Sequence, residues 1–126
     1  MNIPKELLYT DDHEWVFFSS DDTARIGITD FAQTELGDIV FINLPEEEDT
    51  VVAGDSFAEV ESVKAVSDIY SPVTGVIRAI NRDVLDNPSL INETPYEAWL
   101  IEVGEIVDKG GLMSADEYEN LLAEGE

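Results

Sequence analysis

The stretch from residue 50 to residue 80 constrains the fold most strongly, because short apolar and β-branched runs alternate there with turn residues. Runs of this kind predict strands, among them 57–61 and 66–70. Strands this short and this closely spaced favour antiparallel pairing in a sandwich or flattened barrel. The two strands predict a central hairpin spanning about residues 55–72, with Lys64 in the polar break at its tip.

The N-terminal part of the chain predicts a second hairpin, a helix and a further strand. Aromatic and β-branched residues predict strands over 15–18 and 23–28, joined by a polar turn. Thr29 or Asp30 can cap the short helix that follows. The apolar run 38–44 then predicts a strand that is buried on both faces.

The C-terminal part is poorer in apolar runs. Residues 81–92 are loop-like, with room for one helical turn, and 99–103 predicts the last strand. A capping box opens a C-terminal helix over about residues 114–123. The expected fold is therefore mainly β, a hybrid of sandwich and barrel with short peripheral helices and a C-terminal helix, in a single domain over residues 1–126.

The net charge of the chain is −23, with 29 acidic and 6 basic residues. This balance argues against nucleic acid as a partner and against docking on anionic membranes, because both need clustered Lys and Arg. No apolar run is long enough to span a bilayer, and the N-terminus lacks the basic and apolar stretches of a signal peptide. The cytoplasm is the expected location, and a chain without cysteine is compatible with that reducing compartment.

Residue types for catalysis are scarce. There is no cysteine, the sole histidine is His13, and no serine lies in a Gly-x-Ser-x-Gly motif. A carboxylate pair such as Glu14 and Asp68 could perform acid–base chemistry, although coincidence is the simpler interpretation in a chain with 29 acidic residues. Neither a self-sufficient enzyme nor a metal site is therefore expected.

Lys64 is one of only three lysines, with Lys5 and Lys109. Its small neighbours Ser62 and Ala65 leave the amine accessible, and the flanking strands give it a rigid base. Because an exposed lysine amine is mostly protonated near neutral pH, its modification would need an enzyme that activates the donor and removes the proton. The residues alone leave two interpretations open, an ordinary solvated lysine and a covalent attachment point.

The sequence around Lys64 resembles the lipoylation motif of the glycine cleavage system H-protein family. The motif runs Glu61-Ser62-Val63-Lys64-Ala65-Val66-Ser67-Asp68, followed by Ser71-Pro72 and Gly75. Further segments match the family in the same order: His13-Glu14-Trp15, Gly27-Ile28-Thr29-Asp30-Phe31-Ala32-Gln33, Leu36-Gly37-Asp38-Ile39-Val40-Phe41, Asn87-Pro88-Ser89-Leu90-Ile91-Asn92 and Pro95-Tyr96. Biotinyl domains share the architecture but usually flank their lysine with methionines, whereas Val63 and Ala65 stand here.

The resemblance implies a lipoyl/biotinyl-like fold and a non-catalytic carrier with lipoic acid joined to Lys64 through an amide. The hairpin around the attachment point would comprise Glu61, Ser62, Val63, Ala65 and Ser67. In the family, a pyridoxal-phosphate glycine decarboxylase (P protein) loads the arm with an aminomethyl group, and a tetrahydrofolate-dependent aminomethyltransferase (T protein) removes it. A dihydrolipoyl dehydrogenase (L protein) reoxidises the arm, which a lipoate ligase or octanoyltransferase installs.

The resemblance also implies that the loaded arm folds into a cleft that excludes water. Glu14 and Asp68 match family positions whose carboxylates could pair with the aminomethyl ammonium, and Asp12 and Glu35 complete the candidate cleft. Glu35 stands where some relatives carry a histidine, and the link Tyr96-Glu97-Ala98-Trp99 is shorter than usual. These departures leave one alternative to a monomeric glycine cleavage carrier, a lipoyl relay protein that donates lipoate to other complexes. A second alternative is a non-catalytic binding module in which Lys64 is an ordinary solvated lysine.

Overall fold

The computed structural model of the protein describes residues 2–125. The strands, in chain order, are β1 (Leu8–Tyr9), β2 (Glu14–Ser20), β3 (Thr23–Ile28), β4 (Ile39–Asn43), β5 (Thr50–Val51), β6 (Ser56–Ser62), β7 (Val66–Tyr70), β8 (Thr74–Ile80) and β9 (Ile101–Asp108). The helices are α1 (Asp30–Leu36), α2 (Arg82–Asp86), α3 (Leu90–Glu93) and α4 (Ala115–Gly125).

The described strands form two antiparallel sheets. One sheet has the strand order β1-β2-β3-β9-β8-β5, and the other has the order β4-β6-β7. Both predicted hairpins are present, β2 with β3 in the six-stranded sheet and β6 with β7 in the three-stranded sheet. The mainly β fold with short helices and a C-terminal helix, expected from the sequence, is confirmed.

Alternation of side chains along the strands builds the core between the sheets. In β3, Ala24, Ile26 and Ile28 are buried while Arg25 faces solvent. One buried cluster joins the two sheets to α2 and α3 and comprises Ile28, Ile39, Ile42, Ala58, Val60, Ile69, Val84, Ile91, Ala98 and Leu100. Each large aliphatic side chain buried in this way contributes about 1.5–3 kcal/mol, so the three-stranded sheet is firmly anchored beneath the hairpin tip.

The C-terminal helix α4 packs on the N-terminal part of the six-stranded sheet. The Tyr118 ring stacks on the Tyr9 ring with 4.7 Å between their centroids. The capping box is confirmed, because the Ser114 N–H donates to Glu117 Oε1 at 2.9 Å and the Glu117 N–H donates to Ser114 Oγ at 3.2 Å. In residues 2–125, none of the helices combines the length and the apolar character needed to cross a membrane.

Strand β4 differs from the prediction that the run 38–44 is buried on both faces. Ile39 and Ile42 lie in the core, but Val40 and Phe41 are 58% and 52% exposed. The pairing register of β4 with β6 shifts between Ile39 and Phe41, which leaves Val40 as an extra residue in a β-bulge. Because a bulge interrupts the alternation of faces, two neighbouring apolar side chains point to solvent together.

Two elements of the C-terminal part also differ from the sequence-based expectation. Residues 81–92, predicted as loop-like with one helical turn, contain both α2 and α3, and Asn81 caps α2 by accepting the Asp83 N–H at 3.1 Å. The last strand runs from Ile101 to Asp108 and not over 99–103. A helix of five residues with one buried side chain, and a strand whose second half is mostly exposed, give little periodic signal.

Gly27 offers a test of the packing around β2 and β3. A Cβ at Gly27 would lie 2.6 Å from Cε2 and Cζ2 of Trp15, whose side chain is buried. We expect Gly27→Ala to lower the free energy of unfolding by about 1–3 kcal/mol, because the indole ring must shift within a packed core. Gly111→Ala is the matched control, since nothing lies within 4 Å of its added Cβ. Urea denaturation measures both variants, and equal stabilities would contradict this packing.

Candidate functional site

Lys64 lies at the tip of the β6–β7 hairpin, and the side chain of Ser62 holds the tip together. Ser62 Oγ accepts hydrogen bonds from the Lys64 N–H at 3.1 Å and from the Ala65 N–H at 3.2 Å. The Val63 N–H donates to the Asp38 carbonyl at 3.0 Å, which ties the tip to the segment after α1. Lys64 is exposed and projects from a backbone that is fixed on both sides.

The Lys64 side chain lies against Gly37, the residue that ends α1. A Cβ built at Gly37 would lie 3.2 Å from Lys64 Cε and 3.7 Å from Lys64 Nζ. Gly37 also has a φ of 79°, a left-handed conformation that favours glycine. Gly37 therefore meets two requirements: its backbone adopts the left-handed conformation that ends α1, and its lack of a side chain leaves room for the side chain of Lys64.

A cavity of about 270 Å³ opens beside the hairpin, between β7, the turn before β2, and α1. Its apolar wall is formed by Ile28, Phe31, Ala32, Leu36, Val60 and Ile69. Its acidic residues are Asp12, Glu14, Glu35 and Asp68, so the structure brings together all four acidic residues that the sequence indicated for a cleft. Ser67 of the hairpin also lines the cavity, whereas Glu61, Ser62, Val63 and Ala65 do not.

Glu14 is the buried carboxylate of this cavity, with 2% of its surface exposed. Its Oε1 accepts the Thr10 hydroxyl at 2.7 Å, and its Oε2 accepts the Tyr70 N–H at 3.3 Å. Burial raises the pKa of the Glu14 carboxyl to about 7; the two hydrogen bonds act in the opposite direction, and the negative charge of Asp12 adds to the rise. Glu14 therefore connects the turn before β2 to the edge strand β7. Because its pKa is raised, its carboxyl group is only partly ionised near neutral pH.

The other three acidic residues of the cavity are exposed. Asp12 lies in the turn before β2, Asp68 in β7, and Glu35 in the last turn of α1, two residues before Gly37. Exposed carboxylates are screened by water and contribute little to the strength of a single ion pair. Within this cavity, Glu14 thus forms the floor and the other three carboxylates form the rim.

Thr10 is a site residue that the sequence analysis missed. Its Oγ1 accepts hydrogen bonds from the Asp12 N–H at 3.2 Å and from the Glu14 N–H at 3.1 Å. With both acceptor positions used, the hydroxyl hydrogen is directed to Glu14 Oε1. The run Thr-Asp-Asp before His13 is typical of a turn closed by a threonine side chain, and this signal could have identified it.

Tyr118 of α4 supports the wall of the cavity from behind. Its hydroxyl lies 2.8 Å from Thr29 Oγ1 and 2.9 Å from His13 Nδ1. Thr29 is the N-cap of α1, with Oγ1 accepting the Ala32 N–H at 3.2 Å, which decides between the two predicted caps. The C-terminal helix therefore fixes both the turn at His13, whose φ is 68°, and the start of α1.

Larger concavities lie away from Lys64. One of about 450 Å³ is lined by Asn2, Asp30 and residues 92–97, one of about 410 Å³ lies around Trp15 and Trp99, and one of about 310 Å³ lies around Val51 and Phe57. None of these contains one of the candidate site residues from the sequence. Size alone does not mark a site. The cavity beside Lys64 combines apolar walls with the buried carboxylate of Glu14, which also lines a smaller concavity of about 140 Å³ near Pro72 and Leu112.

The pKa of Glu14 has a consequence for stability. Because the folded protein raises this pKa from 4.5 to about 7, the protonated carboxyl stabilises the fold fully below pH 4.5, and this contribution is lost as the pH rises through about 7. We expect Glu14→Gln to remove that loss, so that its stability relative to the wild type increases by about 3 kcal/mol across this window. Urea unfolding at a series of pH values measures the difference.

Glu35→Gln is the control for this experiment, because Glu35 lines the same cavity, is exposed, and is not among the charges that raise the pKa of Glu14. The pH-dependent loss of stability that Glu14 causes should remain in this variant. If the stability of Glu14→Gln followed that of the wild type at every pH, the buried, proton-binding state of Glu14 would be contradicted.

Known proteins that resemble this chain in sequence match it over nearly its whole length. A model of the family described as "Glycine cleavage H-protein" matches residues 7–125. A glycine cleavage system H protein of Lachnoclostridium phytofermentans is 52% identical over 122 residues, covering 97% of this chain and 96% of the relative. One of Halalkalibacterium halodurans is 52% identical over 126 residues, covering 98% of each chain.

A solved structure also matches this chain over nearly its whole length. The crystal structure of a glycine cleavage system H protein from Mycobacterium marinum matches with a TM-score of 0.91 at 42% identity, covering 96% of this chain and 99% of that chain. This match confirms the predicted hybrid of sandwich and barrel. Together with the matches in sequence, it shows that the chain belongs to the glycine cleavage H-protein family.

Proposed function

We propose that this chain is the lipoyl carrier of a glycine cleavage system. Lipoic acid, joined to Lys64 by an amide, carries an aminomethyl group from a pyridoxal-phosphate glycine decarboxylase to a tetrahydrofolate-dependent aminomethyltransferase. One observation carries the proposal. In a member of this family, the exposed Lys64 lies against Gly37, and the preceding residue, Leu36, lines a cavity that combines apolar walls with a buried carboxylate.

The residues present fit a lipoyl group. The Lys64 side chain is exposed and already lies beside the end of α1, whose Glu35 and Leu36 line the cavity. The apolar wall suits an alkyl chain and a dithiolane ring, and the acidic residues suit a cationic amine. When bound, the lipoyl group supplies the sulfur chemistry that a chain without cysteine lacks.

Glu14 is proposed to hold the amine of the cargo. Both of its oxygens are already fixed by hydrogen bonds, so the carboxylate is oriented before a ligand arrives. Because burial raises the pKa of Glu14 to about 7, a cation that enters the cavity favours the ionised form and turns a costly buried charge into an ion pair.

The other residues of the cavity are proposed to shield the cargo and to attract it. The apolar wall keeps water from a group that water decomposes. The rim carboxylates Asp12, Glu35 and Asp68 are exposed, so they attract a cation at longer range without fixing its position.

The proposed partners are enzymes that act on the arm. They are the decarboxylase, the aminomethyltransferase, a dihydrolipoyl dehydrogenase, and a lipoate ligase or octanoyltransferase. The chain itself acts as a non-catalytic, monomeric carrier of one domain over residues 1–126, in the cytoplasm. The net charge of −23 supports steering towards basic docking surfaces on these enzymes.

Lys64→Arg tests the proposal. The substitution keeps the positive charge and leaves the backbone bonds of the hairpin tip in place, but a guanidinium does not form the amide. We expect the lipoylated wild type to support glycine-dependent exchange of CO₂ with the decarboxylase, and Lys64→Arg to reduce this exchange to background. Urea unfolding should show unchanged stability.

Lys109→Arg is the matched control, because Lys109 is also exposed and lies elsewhere on the surface. It should keep full exchange activity. Exchange by Lys64→Arg at the wild-type rate would contradict the proposal. A wild type that is lipoylated at Lys64 but supports no exchange would instead favour a relay protein that donates lipoate to other complexes.

A further inference from the structure

The side chain of Asn92 in α3 makes three hydrogen bonds, all to the region that contains the end of α1 and the start of β4. Its Nδ2 donates to the Gly37 carbonyl at 2.9 Å and to Gln33 Oε1 at 3.0 Å. Its Oδ1 accepts the Ile39 N–H at 2.9 Å. Both amide hydrogens and the amide oxygen are therefore used, and the Ile39 N–H fixes which way the amide group faces.

Residues 37–39 also contact the hairpin tip, and we call them the guide segment. Each of them contacts one residue of the tip, in antiparallel order: Gly37 with Lys64, Asp38 with Val63, and Ile39 with Ser62. The first contact is made by the lysine side chain, the second is a backbone hydrogen bond of 3.0 Å, and the third is a strand pairing. Because Asn92 holds the first and the last residue of the guide segment, it also restricts the residue between them.

Helix α3 gives Asn92 a fixed position. Ile91, the preceding residue, is fully buried in the cluster that joins the two sheets. The Asn92 N–H donates to the Ser89 carbonyl at 3.0 Å, and Ser89 Oγ donates to Asn87 Oδ1 at 2.7 Å. The amide group of Asn92 thus extends from a backbone that the core anchors, and it links the guide segment to that core.

The guide segment lies between the hairpin tip and the cavity. Leu36, the residue before it, lines the cavity. A Cβ built at Gly37 would lie 3.2 Å from Lys64 Cε, 3.6 Å from Cδ and 3.7 Å from Nζ, so the outer half of the lysine side chain lies over the guide segment. An acyl group on Nζ would therefore begin at the guide segment, one residue from the cavity wall.

The elements on both sides of the guide segment are held without Asn92. Strand β4 is paired with β6 and has Ile39 and Ile42 in the core. Helix α1 ends with a hydrogen bond of 3.0 Å from the Gly37 N–H to the Gln33 carbonyl. What Asn92 adds is the position of the guide segment itself.

We propose that Asn92 is a positioning residue for the lipoyl arm: it holds the guide segment so that an acyl group on Lys64 is directed along Gly37 into the cavity. The inference rests on the proposed function, since it requires an acylated Lys64 and a cargo that the cavity shelters. Asn92 does not line the cavity, so it acts through residues 37–39. Its loss should expose the cargo to water while the residues that line the cavity stay the same.

Asn92→Asp tests this role by changing one group. The carboxylate keeps the acceptor that faces β4 but has neither donor hydrogen, so an oxygen faces the Gly37 carbonyl. Asn81→Asp is the matched control. Asn81 Nδ2 donates to the Trp99 carbonyl at 2.8 Å and its Oδ1 accepts the Asp83 N–H at 3.1 Å, so the same chemical change removes a hydrogen bond that does not involve the guide segment.

Hydrogen exchange in the unmodified protein follows the guide segment. NMR measures the exchange rate of the Val63 N–H, which donates to the Asp38 carbonyl. We expect this exchange to be about tenfold faster in Asn92→Asp than in the wild type, because the guide segment is released, and to be unchanged in Asn81→Asp.

Loss of the cargo follows the arm. The lipoylated protein is loaded with an aminomethyl group by the decarboxylase and glycine, and it is then separated from the enzyme. We expect the loaded Asn92→Asp variant to lose the aminomethyl group to water about tenfold faster than the wild type, and Asn81→Asp to lose it at the wild-type rate. Asn92→Ala, which removes all three hydrogen bonds, should change both measurements in the same direction.

The possible outcomes separate the role of Asn92 from the proposed function. Equal exchange at Val63 in Asn92→Asp and Asn81→Asp would overturn the positioning role, and so would loss of the cargo at the wild-type rate despite faster exchange. If urea unfolding showed that neither Asn92 variant folds, Asn92 would support the whole fold and the specific role would be wrong. A wild type that is not lipoylated at Lys64, or takes up no aminomethyl group, would instead overturn the proposed function, and the guidance of the arm with it.

Discussion

The carboxylate of Glu14 is the interaction on which the site depends. It accepts the Thr10 hydroxyl on one oxygen and the Tyr70 N–H on the other, so it joins the six-stranded sheet to the edge of the three-stranded sheet. The sheet edge that it holds belongs to the hairpin that carries Lys64. A buried, ionisable group is a costly way to join two sheets, because burial opposes its charge. A cation bound to the same carboxylate would offset the free energy that burial of its charge costs.

The hairpin presents different chemistry on its two sides. At the edge of β7 lies the cavity, with a buried acid and apolar walls. On the outer face of the three-stranded sheet, Phe41 and Val66 are exposed on either side of Glu61. Lys64 stands between the two sides, held by Ser62 at its base and lying against Gly37.

Local patterns predicted much of this fold and little of the site's detail. Short β-type runs around polar breaks predicted both hairpins, and Ser114 with Glu117 predicted the start of α4. The β-bulge at Val40 was not predictable, because an apolar run has the same composition whether one or both faces are buried.

The burial of Glu14, like the β-bulge at Val40, was not predictable from the sequence. A chain with 29 acidic residues does not show which carboxylate the fold encloses. Tyr118 contacts His13 across 105 residues of sequence, a distance that no local pattern encodes. Only the match of whole motifs to a family placed Glu14 and Asp68 in one site with Lys64.

The central claim is that Lys64 is the covalent attachment point, and peptide mapping by mass spectrometry tests it most directly. The full-length protein is incubated with lipoate, ATP and a lipoate ligase, and the intact mass is measured before proteolysis. We expect the addition of one lipoyl group, found on the peptide that contains Lys64. An unmodified Lys64, or label on Lys5 or Lys109 in its place, would contradict it.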